Sequence, residues 1–139
     1  MKKNTLSKIA GGVATLALAA TLTACGGNNL ADDKGTCKEF KVQVQSLGID
    51  DLSGLSAVTG DTTKAKEVFA KMVEVGKKST SEVGKAFVTM GEATNKTLEL
   101  SEKIKANPSD SAAMEEMKNI DTSALTDASN KIQTACAGI

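Results

Sequence analysis

Apolar residues recur at helical spacing through most of the chain that follows residue 35. The first helix is predicted to begin at a capping box, Thr36 to Glu39, and to stop at Gly48. Its apolar face carries Phe40, Val44 and Leu47. Val42 and Val44 alternate with glutamines, which would also suit a strand. We favour a helix because the sequence offers no second strand to pair with it.

A connector, residues 49–60, follows, and its apolar residues are spaced by three, as in a helical turn over one end of the core. Asp61 is then a good N-cap, and an apolar stripe extends to Ala106, where Asn107 and Pro108 break it. Periodicity alone allows one helix over residues 62–106, about 67 Å long at 1.5 Å per residue. Gly76 and a second capping box, Ser79-Thr80-Ser81-Glu82, favour a break near residues 76–81.

Two more helices are predicted near the end of the chain. Pro108 suits the first turn of a short helix over residues 109–119. Asp121 then caps the last helix, which has Cys136 at its foot. The inward face of this last helix carries Leu125, Ala128, Ile132 and Ala135.

The first 24 residues follow a different pattern, that of a secretory signal peptide. Lys2, Lys3 and Lys8 form a basic front, and no acidic residue occurs before Asp32. Residues 9–22 are uncharged and end in small residues. The stretch is short for a transmembrane helix, which needs about 20 apolar residues. The alternative, an N-terminal helix of the folded domain, would need a polar face that this stretch lacks.

The sequence Leu22-Thr23-Ala24-Cys25 resembles a bacterial lipobox, the motif of prolipoprotein processing. The resemblance implies cleavage between Ala24 and Cys25 and lipidation of Cys25, with two or three acyl chains such as palmitate. Several chains give stable anchoring, whereas one gives only marginal binding. We therefore expect a signal peptide over residues 1–24, a lipidated Cys25 with a flexible tether over 25–35, and a domain over 36–139. The expected location is the outer face of the bacterial cell membrane, or the outer membrane in a diderm cell.

Composition narrows the function of the remaining 115 residues. All seventeen basic residues are lysines, and three lie in the signal, which leaves 14 lysines against 17 acidic residues. The chain has no Arg, His, Trp or Tyr. An acidic domain without arginine or large stacking surfaces is a poor match for nucleic acid. It also lacks histidine, the commonest general base and metal ligand, and we expect no cofactor and no metal.

Once the lipobox assigns Cys25 to lipid, Cys37 and Cys136 are left as an even pair in an exported protein. A disulfide between them is the natural interpretation. A redox or metal-binding pair is the alternative, but neither a CxxC spacing nor a partner ligand supports it. The disulfide also bears on topology, because a chain that folds back on itself returns to its starting end only after an even number of passes. Four long helices satisfy this condition, and three do not.

The predicted fold is therefore all-α, an up-down-up-down four-helix bundle with one short extra crossover helix and one disulfide. Phe40, Phe87 and Ile132 are expected at similar heights near the Cys37–Cys136 bridge. The plan resembles small secreted lipoproteins of actinobacteria, which open with a cysteine-bearing helix and close with a helix of the A-x-x-I-x-x-x-C type. The matching segments here are residues 37–40 and 128–136. Many such proteins have no established activity.

No catalytic set is found in the sequence, and we expect no enzymatic activity. Gly84 and Gly91 indicate either close helix packing or a cleft for a ligand. Two functional hypotheses follow. The first is an envelope interaction or structural module that binds another envelope protein. The second is a carrier for a small apolar ligand, suggested by the flexible side chains of Met72, Met90, Met114 and Met117.

Overall fold

The computed structural model describes residues 28–50 and 60–139. These residues form five α-helices, with no strand among them. The helices are α1 (Asp33–Gln45), α2 (Thr62–Lys78), α3 (Glu82–Ala106), α4 (Ser111–Lys118) and α5 (Thr122–Ala135). The all-helical class is thus confirmed. The predicted signal peptide and residues 51–59 of the predicted connector lie outside the described residues.

Helix α1 begins three residues earlier than the sequence predicts. Its N-cap is Asp32, whose side chain accepts a hydrogen bond of 2.7 Å from the Gly35 N–H. Thr36, predicted as the cap, lies one turn inside the helix, and its hydroxyl donates to the Asp32 carbonyl oxygen at 2.9 Å. An aspartate before the first turn also suits the positive end of the helix dipole. The prediction of a tether over residues 25–35 is therefore wrong for residues 28–35, which belong to the folded domain.

The break between the second and third helices is confirmed. Helix α2 runs through Gly76 to Lys78, and Ser79 is its C-cap. Ser81 is the N-cap of α3 and accepts a 3.1 Å hydrogen bond from the Gly84 N–H. The sequence prediction was wrong in detail, because Gly76 does not end α2. Gly76 is instead placed where α2 touches α3.

The two helices near the end of the chain are both present. Helix α4 begins at Ser111, two residues later than predicted, because Asp110 accepts from the Ala113 N–H at 3.0 Å and so acts as its cap. Pro108 lies in the preceding turn. The predicted cap of α5, Asp121, is confirmed by its 2.9 Å hydrogen bond from the Ala124 N–H.

One hydrophobic core joins α1, α2 and α3 and includes Cys136, which follows the last residue of α5. Phe40 and Phe87 are fully buried, and their ring centroids lie 4.9 Å apart in a tilted arrangement. Burial of side chains of this kind stabilises the fold by roughly 1.5–3 kcal/mol each. The rest of the core consists of Cys37, Val44, Ile49, Ala65, Val68, Met72, Val75, Val83 and Cys136. Ile132 packs against the same cluster, so the predicted grouping of Phe40, Phe87 and Ile132 near the bridge is confirmed.

The predicted disulfide is also confirmed. Cys37 and Cys136 are bonded, with their Cα atoms 5.4 Å apart and 99 positions apart in sequence. Cys37 lies in the second turn of α1, and Cys136 follows the last residue of α5. The bond therefore joins the beginning of the folded domain to its last helix.

Candidate functional site

The segment before α1, residues 28–32, is tied to the turn between α2 and α3, and we call it the strap. The Leu30 carbonyl oxygen accepts hydrogen bonds from the Ser79 hydroxyl at 2.7 Å and from the Thr80 N–H at 3.1 Å. The Leu30 side chain packs against the core. Asn28 donates from Nδ2 to Glu39 Oε2 at 3.2 Å. The strap is therefore fixed to α1 and to a turn 49 residues away in sequence.

Three hydroxyl groups lie directly beneath the strap, and we call them the hydroxyl cluster: Thr36, Ser79 and Ser81. Thr36 Oγ1 is 2.8 Å from Ser79 Oγ and 3.0 Å from Ser81 Oγ, and the two serine oxygens are 2.9 Å apart. Thr36 and Ser81 are both buried. Asp33 adds a further link across the same junction, because its Oδ1 accepts from the Val83 N–H at 2.9 Å.

The hydrogen bonds of the hydroxyl cluster are internally complete. Thr36 Oγ1 lies 2.9 Å from the Asp32 carbonyl oxygen, Ser79 Oγ lies 2.7 Å from the Leu30 carbonyl oxygen, and Ser81 Oγ lies within 3.0 Å of both other hydroxyl oxygens. Ser81 Oγ itself accepts from the Gly84 N–H. A serine or threonine nucleophile needs an adjacent general base, and the partners here are hydroxyls, carbonyls and backbone N–H groups. The cluster therefore acts as a structural junction that joins α1, the α2–α3 turn and the strap.

Exposed ion pairs surround this end of the molecule. Hydrogen bonds from Lys78 and Lys71 lower the pKa of Glu74 to about 2, and Glu74 in turn raises the pKa of Lys78. Lys85 and Lys131 lower the pKa of Glu82. All three groups are exposed to solvent, where ion pairs contribute little to stability. Within the described part of the chain, these ion pairs therefore belong to the solvated surface of the domain.

Open hollows lie on the surface of the described domain, and two of them bear on the carrier hypothesis. The first, of about 430 Å³, lies between the N-terminal ends of α1 and α3 and the last turns of α5. Its lining is Asp33, Glu82, Val83, Asn130, Lys131, Thr134 and Ala135. The second, of about 530 Å³, lies along α2 and α3, and includes Asn95, whose Oδ1 is buried without a hydrogen-bond partner. Both hollows are open to solvent, so neither encloses a chamber, although the lining of the first is mainly apolar.

Glycines at the crossing of α2 and α3 let the two backbones touch. A Cβ atom built on Gly76 would lie 2.6 Å from the Gly84 carbonyl oxygen. One built on Gly91 would lie 2.6 Å from Val73 Cγ2 and 2.8 Å from the Phe69 carbonyl oxygen. The space beside Gly84 and Gly91 is therefore filled by α2 and the turn after it. Close packing is confirmed at these two positions, and the ligand cleft is not present there.

We expect Gly91→Ala to lower the free energy of unfolding by about 1–2 kcal/mol. Overpacking costs about 1–3 kcal/mol, and the better helix propensity of alanine offsets up to about 1 kcal/mol of it. The Val73 side chain can turn away, but the Phe69 carbonyl belongs to the backbone of α2. Urea unfolding followed by far-UV circular dichroism measures the change. Lys96→Ala, an exposed substitution on the same helix, is the control and should stay within about 0.5 kcal/mol of the parent. A Gly91→Ala variant as stable as the parent would contradict the close contact.

The methionines behind the carrier hypothesis occupy different environments. Met72 is buried in the core, and Met90 packs against it. Met114 and Met117 lie on α4, where Met114 is 38% exposed. The four therefore do not line one chamber, and the carrier hypothesis stays a prediction from the sequence without further support here.

The sequence-predicted site residues separate into two groups. Cys37 and Cys136 come together in the disulfide, whereas Ala24 and Cys25, the predicted cleavage and lipidation positions, lie outside the described residues. Sequence reasoning missed the strap and the hydroxyl cluster.

Within residues 28–50 and 60–139, no group of three or more His, Cys, Asp or Glu side chains is placed to hold a metal ion. Among the described helices, none has both the length and the apolar content needed to cross a bilayer.

Comparisons of the chain with protein-family models, with curated proteins and with solved structures found no match.

Proposed function

We propose that the protein is a lipid-anchored module of the bacterial cell envelope that binds another envelope protein and has no enzymatic role. The lipid is attached to Cys25 after removal of residues 1–24, and it holds the domain on the outer face of the cell membrane, or on the outer membrane in a diderm cell.

The observation that carries the proposal is the division of the three cysteines. Cys37 and Cys136 are consumed by the disulfide, so Cys25 is the one cysteine free for another role. Structural disulfides persist in oxidising compartments outside the cytosol, which agrees with an exported chain. Cys25 also stands at the end of the lipobox-like sequence Leu22-Thr23-Ala24-Cys25. Both features support the same location from different parts of the chain.

The proposal also includes the order in which the four long helices run. We infer that α1, α2, α3 and α5 run up-down-up-down, with α4 as a crossover. The hydroxyl cluster brings the start of α1 to the end of α2, and the Lys66–Glu102 ion pair brings the start of α2 to the end of α3. The Lys131–Glu82 pair, at 3.5 Å, brings the end of α5 to the start of α3. Each of these contacts fits antiparallel neighbours.

The anchor is tested by Cys25→Ala in the full-length chain expressed in a bacterium. We expect loss of metabolic labelling with an alkyne fatty acid and release of the protein from the membrane fraction, because the thioether needs the Cys25 sulfur. Globomycin, which blocks lipoprotein signal cleavage, should make the unprocessed precursor accumulate.

The matched control for Cys25→Ala is the double variant Cys37→Ala/Cys136→Ala, which removes the other two cysteines. It should keep both the fatty-acid label and the membrane retention. Retention of Cys25→Ala in the membrane, or labelling that depends on Cys37 or Cys136, would contradict the lipoprotein assignment.

A further inference from the structure

The strap determines how much free chain separates the proposed lipid from the domain. Asn28 is bound to Glu39, and Leu30 is bound to the α2–α3 turn by two hydrogen bonds to its carbonyl oxygen. Gly26 and Gly27 alone therefore stand between Cys25 and the first residue that is fixed to the domain. In the sequence, two residues separate Cys25 from the first residue that is hydrogen-bonded to the domain, in place of the ten expected for the tether.

Chain geometry converts this count into a distance. Consecutive Cα atoms are about 3.8 Å apart, so the Cα atoms of Cys25 and Asn28 can be at most about 11 Å apart. With the whole of residues 26–35 free, the same measure would allow at most about 42 Å between the Cα atoms of Cys25 and Thr36. The difference matters because the acyl chains fix Cys25 at the level of the lipid headgroups.

We propose that one end of the domain lies on the lipid headgroups and that the opposite end is held away from the membrane. The first, the anchor end, consists of the strap, residues 79–81 and residues 136–139. The second, the outer end, is the turn at residues 107–110. Helix α3 connects the two, and its 25 residues correspond to about 37 Å at 1.5 Å per residue. This proposal depends on the lipid anchor at Cys25 proposed above.

The surface of the anchor end fits contact with headgroups without insertion into the acyl layer. Its exposed residues are Asn29, Ala31, Asp32, Thr80, Ala137 and Gly138, and the exposed Lys77 and Lys78 adjoin it. The apolar side chains of Leu30 and Ile139 pack against the core. Among the described residues, the large exposed hydrophobic side chains, Val42 and Met114, lie on α1 and α4.

The short connection between Cys25 and Asn28, rather than the surface charge of the domain, sets this orientation. Lys77 forms an ion pair with Glu92 at 3.0 Å, and Lys78 forms one with Glu74 at 2.8 Å. These two exposed lysines, which adjoin the anchor end, are thus partly neutralised by carboxylates of the same domain. The orientation should therefore not require anionic lipid. It should be found on zwitterionic vesicles and should change little with salt concentration.

The experiment uses the full lipidated chain, purified from bacterial membranes and reconstituted into phosphatidylcholine vesicles that contain a headgroup-linked energy acceptor. A donor fluorophore is attached through Thr80→Cys at the anchor end or through Ser109→Cys at the outer end. Both positions are exposed. We expect the donor at residue 80 to lose most of its fluorescence to the acceptor lipid and the donor at residue 109 to keep most of its fluorescence. Raised salt should not change this difference.

The control is a Gly/Ser spacer of about ten residues inserted between Gly27 and Asn28, which restores a long, flexible tether. We expect the spacer to remove most of the difference between the two donors while the protein stays bound to the vesicles. Equal energy transfer from residues 80 and 109 in vesicle-bound protein without the spacer would overturn the orientation alone. Failure of the purified full chain to bind vesicles would overturn the lipid anchor and the orientation with it.

Discussion

Replacement of both Cys37 and Cys136 with alanine should lower the free energy of unfolding by about 4–5 kcal/mol. The bond joins residues 99 positions apart, and on the chain-entropy model a loop of about 100 residues stabilises the folded state by roughly 4.7 kcal/mol. A domain of this size has a total stability of about 5–15 kcal/mol. The reduced domain should therefore stay folded at low temperature with a much smaller margin.

Alanine is preferred to serine in this experiment because Cys37 is fully buried among apolar side chains. A serine hydroxyl there would add a desolvation cost of about 1–3 kcal/mol if it found no partner. Urea unfolding followed by far-UV circular dichroism measures the change, since the chain has no Trp or Tyr to serve as a fluorescent probe.

Wild-type protein treated with a reducing agent provides the comparison for the double variant, and the two should unfold at similar urea concentrations. An oxidised wild type no more stable than the double variant would contradict a stabilising bridge. Two titratable thiols in correctly exported protein from which Cys25 has been removed would contradict the bridge itself.

The parts of the fold that depend on periodic burial were predictable from the sequence. The helices α2, α3 and α5 present regular apolar faces, and their partners lie in one core, so a pattern over 14 to 25 residues is enough to find them. The pairing of Phe40 with Phe87 was also predictable, because the disulfide fixes which helix ends lie together.

The start of α1 could not be found in the same way. Thr36 and Glu39 have the spacing of a capping box, and Asp32 is an equally suitable cap four residues earlier. Local propensity does not choose between them. The choice is made by tertiary hydrogen bonds, in which Ser79 and Thr80 hold the Leu30 carbonyl and so extend the ordered chain toward the N-terminus. One signal was available, since Asp32 is followed three residues later by Gly35, whose N–H it caps.

Of the candidate site, only the Cys37–Cys136 disulfide was predictable from the sequence. Cysteine counting found the disulfide, but the hydroxyl cluster joins residues 43 and 45 positions apart and has no sequence spacing of its own. The role of Gly91 was left open for a related reason. A glycine in a helix indicates that something comes close, and only the position of α2 shows that the neighbour is the Phe69 carbonyl.

Phe87→Ala should lower the free energy of unfolding by about 3–5 kcal/mol, the usual cost of removing a buried phenylalanine ring. Phe87 is fully buried and touches Phe40 with 4.9 Å between ring centroids. Its removal would leave a cavity beside the disulfide, where Cys37 and Cys136 restrict how far α1 and α5 can move inward to fill it. Urea unfolding of the oxidised protein measures the loss.

Phe69→Ala is the matched control, because Phe69 is the same residue type on the neighbouring helix and is only partly buried against the same core. Its loss should be clearly smaller, since the cost of truncation rises with the cavity that is left behind. Equal losses from the two variants would contradict the central position of Phe87. Phe87→Leu should recover most of the stability, because a smaller change of volume leaves a smaller cavity. We therefore compare three variants, Phe87→Leu, Phe87→Ala and Phe69→Ala. Their losses of stability test whether the core is centred on the bridge that joins α1 to the end of α5.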